Sequence, residues 1–193
     1  GFTEQVITTN ADGARSVYAT DVDGDGDMDV LSASSWDNKI AWYEQEGSSV
    51  VFQPQTKEEL QTAVDLWVDD NASALTTYGE INTWDVSLIT DMSNLFNGKS
   101  EFNENLSNWN VSNVTNMALM FYGASSFNSA LSNWDVSNVT NMQGMFRGAT
   151  GFNGDVSNWN VSNVINMVGI FYGANSFNGC LLYTSDAADD SQC

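Results

Sequence analysis

The chain has 193 residues, 42% of them apolar and one of them proline, which is enough to fold as one domain or two small ones. Five Lys and Arg stand against 25 Asp and Glu, a formal net charge of -20; nucleic acid and acidic membranes need clustered cations in a partner, so both are expected to be poor partners. There is no histidine, which removes Ser-His-Asp and Cys-His nucleophiles and the usual zinc sites, and no run of about 18 apolar residues offers a membrane span.

Acid is concentrated at the start: residues 1–50 hold ten Asp or Glu, residues 84–179 only six. Asp21-Val-Asp-Gly-Asp-Gly-Asp-Met-Asp29 places carboxylates at positions 1, 3, 5 and 9 with glycine at position 6 for a sharp turn, the pattern by which a short loop wraps a hard cation in oxygens. An EF-hand would have Glu at position 12, where Ser32 stands. The flanks Ser16-Val-Tyr-Ala and Val30-Leu-Ser-Ala read as strands, so the expectation is a strand-flanked Ca2+ loop. Asp21, Asp23, Asp25 and Asp29 ligate through side chains and Asp27 through its carbonyl. A merely solvated turn is disfavoured because five acids at alternate positions repel one another without a cation. The segment from Val6 to Glu46, including Ile40-Ala-Trp-Tyr-Glu44, is similar to an FG-GAP or VCBS repeat, which implies a calcium-binding propeller blade of an adhesive extracellular protein.

Residues 51–55 read as a linker. Thr56-Lys-Glu-Glu59 is a capping box, and Leu60, Ala63, Val64 and Trp67 follow as a helical stripe, which predicts a cap helix over 56–70.

From there on a 25-residue period dominates. Trp84, Trp109, Trp134 and Trp159 are 25 apart, as are Val86 to Val161, Met92 to Met167, Phe96 to Phe171 and Phe102 to Phe177. Units this short bury their apolar side only against each other, so the columns predict a solenoid over 56–179. In Leu131-Ser-Asn-Trp-Asp-Val-Ser137 the period of two predicts a strand. Val139, Met142, Met145 and Phe146, with Asn138 as cap and Gly148 as terminator, predict one helical turn. The motifs Trp134-Asp-Val-Ser-Asn-Val-Thr-Asn-Met142 and Met145-Phe-Arg-Gly-Ala-Thr-Gly-Phe-Asn153 resemble BspA-like leucine-rich repeats of bacterial surface proteins. The fold class expected is therefore a leucine-rich-repeat-like solenoid, one strand and one helical turn per coil, with a cap helix and a small all-β propeller-blade-like segment.

Residues 180–190 resemble the in-frame translation of a transposase-based sequencing adapter, and the repeat pattern fails there. Residues 180–193 are expected to be a non-native tail, and Cys180 and Cys193 then say nothing about redox compartment.

Both resemblances imply adhesion or ligand binding at a cell or matrix surface, with protein or glycan as partner and no catalysis. The expected ligand face carries Asn108, Asn133 and Asn158 beside the outward column Asp85, Asn110, Asp135 and Asn160. Asp85 and Asp135, two units apart at roughly 9 to 10 Å, are the one carboxylate pair with glycosidase-like spacing, and a polysaccharide-active enzyme is the alternative.

Overall fold

In this computed structural model the described residues are 2–8, 16–20, 29–34, 39–45 and 51–179. The chain divides into two compact units, Gly1–Val50 and Val51–Cys193.

The first unit contains four strands, β1 (Phe2–Thr8), β2 (Ser16–Thr20), β3 (Asp29–Ser34) and β4 (Lys39–Gln45), in one sheet ordered β1-β4-β3-β2. Its described pairings are antiparallel, and β1 shifts register against β4 between Val6 and Thr8. The runs at Ser16–Ala19, Val30–Ala33 and Ile40–Glu44 lie in β2, β3 and β4. Ala41 is buried while Tyr18 is exposed.

The second unit opens with packed chain where a linker was expected. Asp85 N–H donates to the Phe52 carbonyl at 3.0 Å, and the Phe52 ring lies 4.5 Å from Tyr78 and 5.2 Å from Trp84. Helix α1 (Lys57–Asp69) begins at Thr56, whose hydroxyl accepts from Glu59 N–H at 3.2 Å, and it buries Leu60, Ala63, Val64 and Trp67. The Glu59 carboxylate accepts from Gln55 N–H, one residue earlier than the reciprocal bond of a capping box. A second helix, α2 (Asn71–Tyr78), follows with no loop between, because Asp70 both ends α1 and caps α2 by accepting from Ser73 N–H. Gly79 at φ +69° stops it, and a 3-10 turn spans Ile81–Thr83.

The expected leucine-rich-repeat-like solenoid is overturned. Among the described residues the regular elements are the four strands, α1, α2 and one 3-10 turn; residues 84–179 form neither a strand nor an α-helix, only turns and single parallel bridges at Asp91, Asn116, Asn141 and Asn166. The second unit is thus a small mixed domain of two helices and a turn-rich body. The physical reason lies in the short polar side chains. Asp135 takes Ser137 N–H and Asn141 takes Gln143 N–H, while Trp134, Val139, Met145 and Ala149 donate to carbonyls three residues back. Such side-chain turns compete with strand and helix ladders. Asn138, expected to cap a helical turn, instead donates through Nδ2 to the Ser112 carbonyl.

The 25-residue register survives in how these turns contact one another. Met117, Leu119, Phe121 and Gly123 donate their N–H groups to the carbonyls of Asn141, Gln143, Met145 and Arg147 at 2.8 to 2.9 Å. Phe96, Phe121, Phe146 and Phe171 stack with centroids 5.1 to 5.6 Å apart and planes within 8°. Trp109, Trp134 and Trp159 are buried, and their indole N–H groups donate to Ile81, Leu106 and Leu131 carbonyls 28 residues back. Burying rings of this size supplies about 2 kcal/mol each; the indole bond adds a second donor to carbonyls that already accept from Trp84, Trp109 and Trp134 N–H within their own turn.

Candidate functional site

The expected ligand face divides into two kinds of position. Asp85, Asn110, Asp135 and Asn160 each turn a side-chain oxygen back onto their own chain, accepting from the N–H of Ser87, Ser112, Ser137 and Ser162 at 3.0 to 3.2 Å. Asn110 also accepts from the Ser112 hydroxyl at 2.7 Å, and Asp85 from the Gln53 amide at 2.6 Å. These residues set the backbone. By contrast Asn108, Asn133 and Asn158, one residue before each buried Trp, are exposed; they project from a backbone fixed on both sides.

The carboxyl groups of Asp85 and Asp135 are both held below the ordinary range. The Ser87 hydroxyl and then its N–H act on Asp85, and the Ser137 hydroxyl and then its N–H on Asp135. A glycosidase general acid needs the opposite, a carboxyl pushed upward so that it carries a proton near neutrality. Neither Asp meets that requirement.

Sequence reasoning missed three further ladders on the same body. Asn113, Asn138 and Asn163 donate through Nδ2 to the Ser87, Ser112 and Ser137 carbonyls at 2.7 to 2.8 Å. Asn103, Asn128 and Asn153 accept, through Oδ1, the N–H groups of Asn128, Asn153 and Asn178. Thr115 and Thr140 hydroxyls donate to the Thr90 and Thr115 carbonyls. The signal was present, since each ladder is a polar column of the 25-residue period, but polarity alone does not separate a bonded column from a free one. A hollow of about 280 Å³ lined by Phe52, Glu58, Glu59, Thr62 and Tyr78 was not anticipated either.

The cation loop falls mainly outside the described residues: Asp21, Asp23, Asp25 and Asp27 are not among them, and Asp29 is described only as backbone. Thr20 and Asp29 are paired across β2 and β3, so the eight residues between them join two hydrogen-bonded strand ends.

All three cationic side chains among the described residues of the second unit are engaged. Lys57 meets Asp91 at 3.1 Å, Lys99 meets Asp65 at 2.6 Å, and the Arg147 guanidinium lies 4.8 Å from the Tyr172 ring centroid. None of the described helices is long and apolar enough to cross a membrane.

Residues 66–183 match the family described as Mycoplasma protein of unknown function, DUF285. No curated protein and no solved structure matches the chain.

Proposed function

We propose that this chain, which belongs to the DUF285 family, is a non-catalytic binding module of a cell or matrix surface, taking a repeating polar ligand on the face of Asn108, Asn133 and Asn158. The observation that carries the proposal is the contrast within that face. The Asx column is consumed in holding the backbone, while three amides at 25-residue intervals are exposed on turns that cannot relax. A rigid row of short side chains loses little entropy on binding, and amides both donate and accept, which suits a polymer with evenly spaced hydroxyl or amide groups. The lowered Asp85 and Asp135 carboxyls support binding over hydrolysis.

The test is a glycan and matrix-protein array probed with the wild type and with Asn133→Arg, Asn158→Arg. Neither position holds the backbone, so the double variant should fold and lose at least tenfold in affinity. Asp135 is left intact because it shapes the turn at Ser137. Equal binding by both proteins refutes this face; turnover of a polysaccharide, lost in Asp135→Asn, would establish the enzyme instead.

A structural Ca2+ ion in the loop from Asp21 to Asp29 belongs to the same proposal. The ion relieves repulsion among five acids and ties the ends of β2 and β3, stabilising the first unit in proportion to its occupancy. Magnesium, with its rigid octahedral shell, should substitute poorly. Calorimetric titration of the wild type and of Asp23→Asn with Asp25→Asn decides the point: equal heats, or no heat from the wild type, rule out the site.

A further inference from the structure

The hollow of about 280 Å³ is assembled from three parts of the second unit. Phe52 comes from the segment ahead of α1, Glu58, Glu59 and Thr62 from the first two turns of α1, and Tyr78 from the last residue of α2. Packing behind them fixes their places. The Phe52 ring lies 4.5 Å from Tyr78 and 5.2 Å from the buried Trp84, Tyr78 lies 5.9 Å from Trp84, and Trp84 meets Trp67 of α1 edge-on at 5.8 Å. The Asp85 N–H holds the Phe52 carbonyl at 3.0 Å, and the Gln55 N–H holds the Glu59 carboxylate at 2.7 Å. The hollow is therefore part of the packed fold.

Its lining is apolar below and negative at the rim. Phe52 and Tyr78, tilted by 47° to one another, offer ring faces whose quadrupoles attract cations. Glu58 and Glu59 add two carboxylates, and the Thr62 hydroxyl spends its one proton on the Glu58 carbonyl at 2.8 Å, so lone pairs are what it has left to offer. No Lys or Arg stands among these lining residues. The nearest in sequence, Lys57, reaches Asp91 and Ser93 instead. Acids in the first turn of a helix also suit its own N-terminus, but that role asks for neither an aromatic pair nor a hollow beside them.

We propose that this hollow takes a lysine side chain of a partner protein, its alkyl stem along Phe52 and Tyr78 and its ammonium group at Glu58, Glu59 and Thr62. The chemistry of the two sides matches. Lysine joins an apolar stem to a charged head, and the head has three donors and no acceptor, against three side chains here that accept. The volume lies just under the range of small-molecule sites, which suits one side chain and not a larger ligand. Charge favours the same occupant, because a chain of net charge -20 draws cationic partners toward it. The asparagine row lies on the 25-residue turns and not on these helices, so this inference does not depend on it.

The probe is Nα-acetyl-lysine amide, titrated into the full chain while the backbone amide signals of Thr62 and Tyr78 are followed by NMR. Saturation in the millimolar range is expected, because one side chain makes all the contact. Nα-acetyl-norleucine amide, which keeps the apolar stem without the charge, should bind about fivefold more weakly or worse. The Nε-trimethyl-lysine analogue, charged but without N–H donors, should be weakened as well. Glu58→Gln should weaken lysine binding about threefold, and Thr62→Val should weaken it too, by removing an acceptor at nearly constant shape. Both positions are exposed, and the bonds that cap α1 are made by Thr56 and Glu59, so both variants should fold with the remaining amide signals in place. The proposal is overturned by no saturable shift at Thr62 and Tyr78, by equal binding of the norleucine or trimethyl analogue, or by unchanged lysine binding in Glu58→Gln; the carboxylates would then serve the helix N-terminus alone.

Discussion

Replacing Trp134 by Phe separates the two things a buried indole does in this chain. The side chain is 3% exposed, its ring lies 6.5 Å from Trp159 in a parallel stack, and its Nε1 donates to the Leu106 carbonyl at 2.9 Å. Phenylalanine keeps most of the apolar contact and removes one of the two donors to that carbonyl, which still accepts from Trp109 N–H at 3.1 Å. Losing one hydrogen bond costs about 0.5 to 1.5 kcal/mol, and the unfilled part of the indole volume adds about 1 kcal/mol. The expected destabilisation is therefore about 1.5 to 2.5 kcal/mol. With a urea dependence of about 2 kcal/mol per molar, the unfolding midpoint should fall by about 1 M at constant slope. Fluorescence of the remaining tryptophans in a urea titration reads this directly. A shift below about 0.5 kcal/mol would show that the Trp109 N–H alone satisfies the carbonyl, and the indole bonds would lose their place in the account of the core.

Three other outcomes follow from single positions. Leu119 holds φ +57° where the corresponding residues 25 apart are Asn94, Gly144 and Gly169; a left-handed leucine costs about 1 to 2 kcal/mol, so Leu119→Asn should raise Tm by a few degrees, and a fall would mean that its packing outweighs the strain. Gly144→Ala should lower stability by at least about 1 kcal/mol, since its Cβ would sit at φ +58° and 2.8 Å from Leu119 Cδ2; an unchanged Tm contradicts this. Acid should weaken the second unit. The Ser137 hydroxyl and N–H hold Asp135 low, and the Ser157 N–H and hydroxyl hold Asp155 low. Depressed folded-state values contribute stability above the unfolded value of about 4, lost as pH falls through them. Tm should be flat from pH 7 to about 5 and drop below about 4, with a shallower drop in Asp135→Asn; a Tm independent of pH down to 2.5 refutes the linkage.

The columns of the repeat and the helix at 57–69 were legible because burial is periodic and a cap has a fixed chemistry. Leu60, Ala63, Val64 and Trp67 lie on the core side as their spacing requires. The conformation within each unit was not legible. Alternation of Trp134 and Val136 with polar residues is the same string whether the chain is extended or folded into consecutive turns. What decides between them is the Asx bond to the N–H two residues on, and that bond depends on backbone geometry that periodicity does not carry. Helix α2 was missed for a related reason: Asp70 ends one helix and starts the next with no intervening loop residue, and its buried face is the single residue Ala74. Residues 51–55 resembled a linker because polar Gln53 and Gln55 surround them, yet Phe52 and Pro54 are turned inward.

The same bond explains why Asp and Asn alternate freely down the outward column and what that says about function. Asp85, Asn110, Asp135 and Asn160 perform one task, offering an oxygen to the N–H two residues on, and an amide carbonyl does this as well as a carboxylate. Asp91, Asn116, Asn141 and Asn166 repeat the exchange in a second column, accepting from Ser93, Ala118, Gln143 and Val168. Proton transfer has no such tolerance, because an amide neither holds nor releases a proton near neutral pH. Positions at which charge is interchangeable with neutrality are positions chosen for acceptor geometry. The carboxylates at 85 and 135 are thus accounted for as turn-formers, and under the proposed binding role the side chains left to meet a ligand are the exposed amides of Asn108, Asn133 and Asn158.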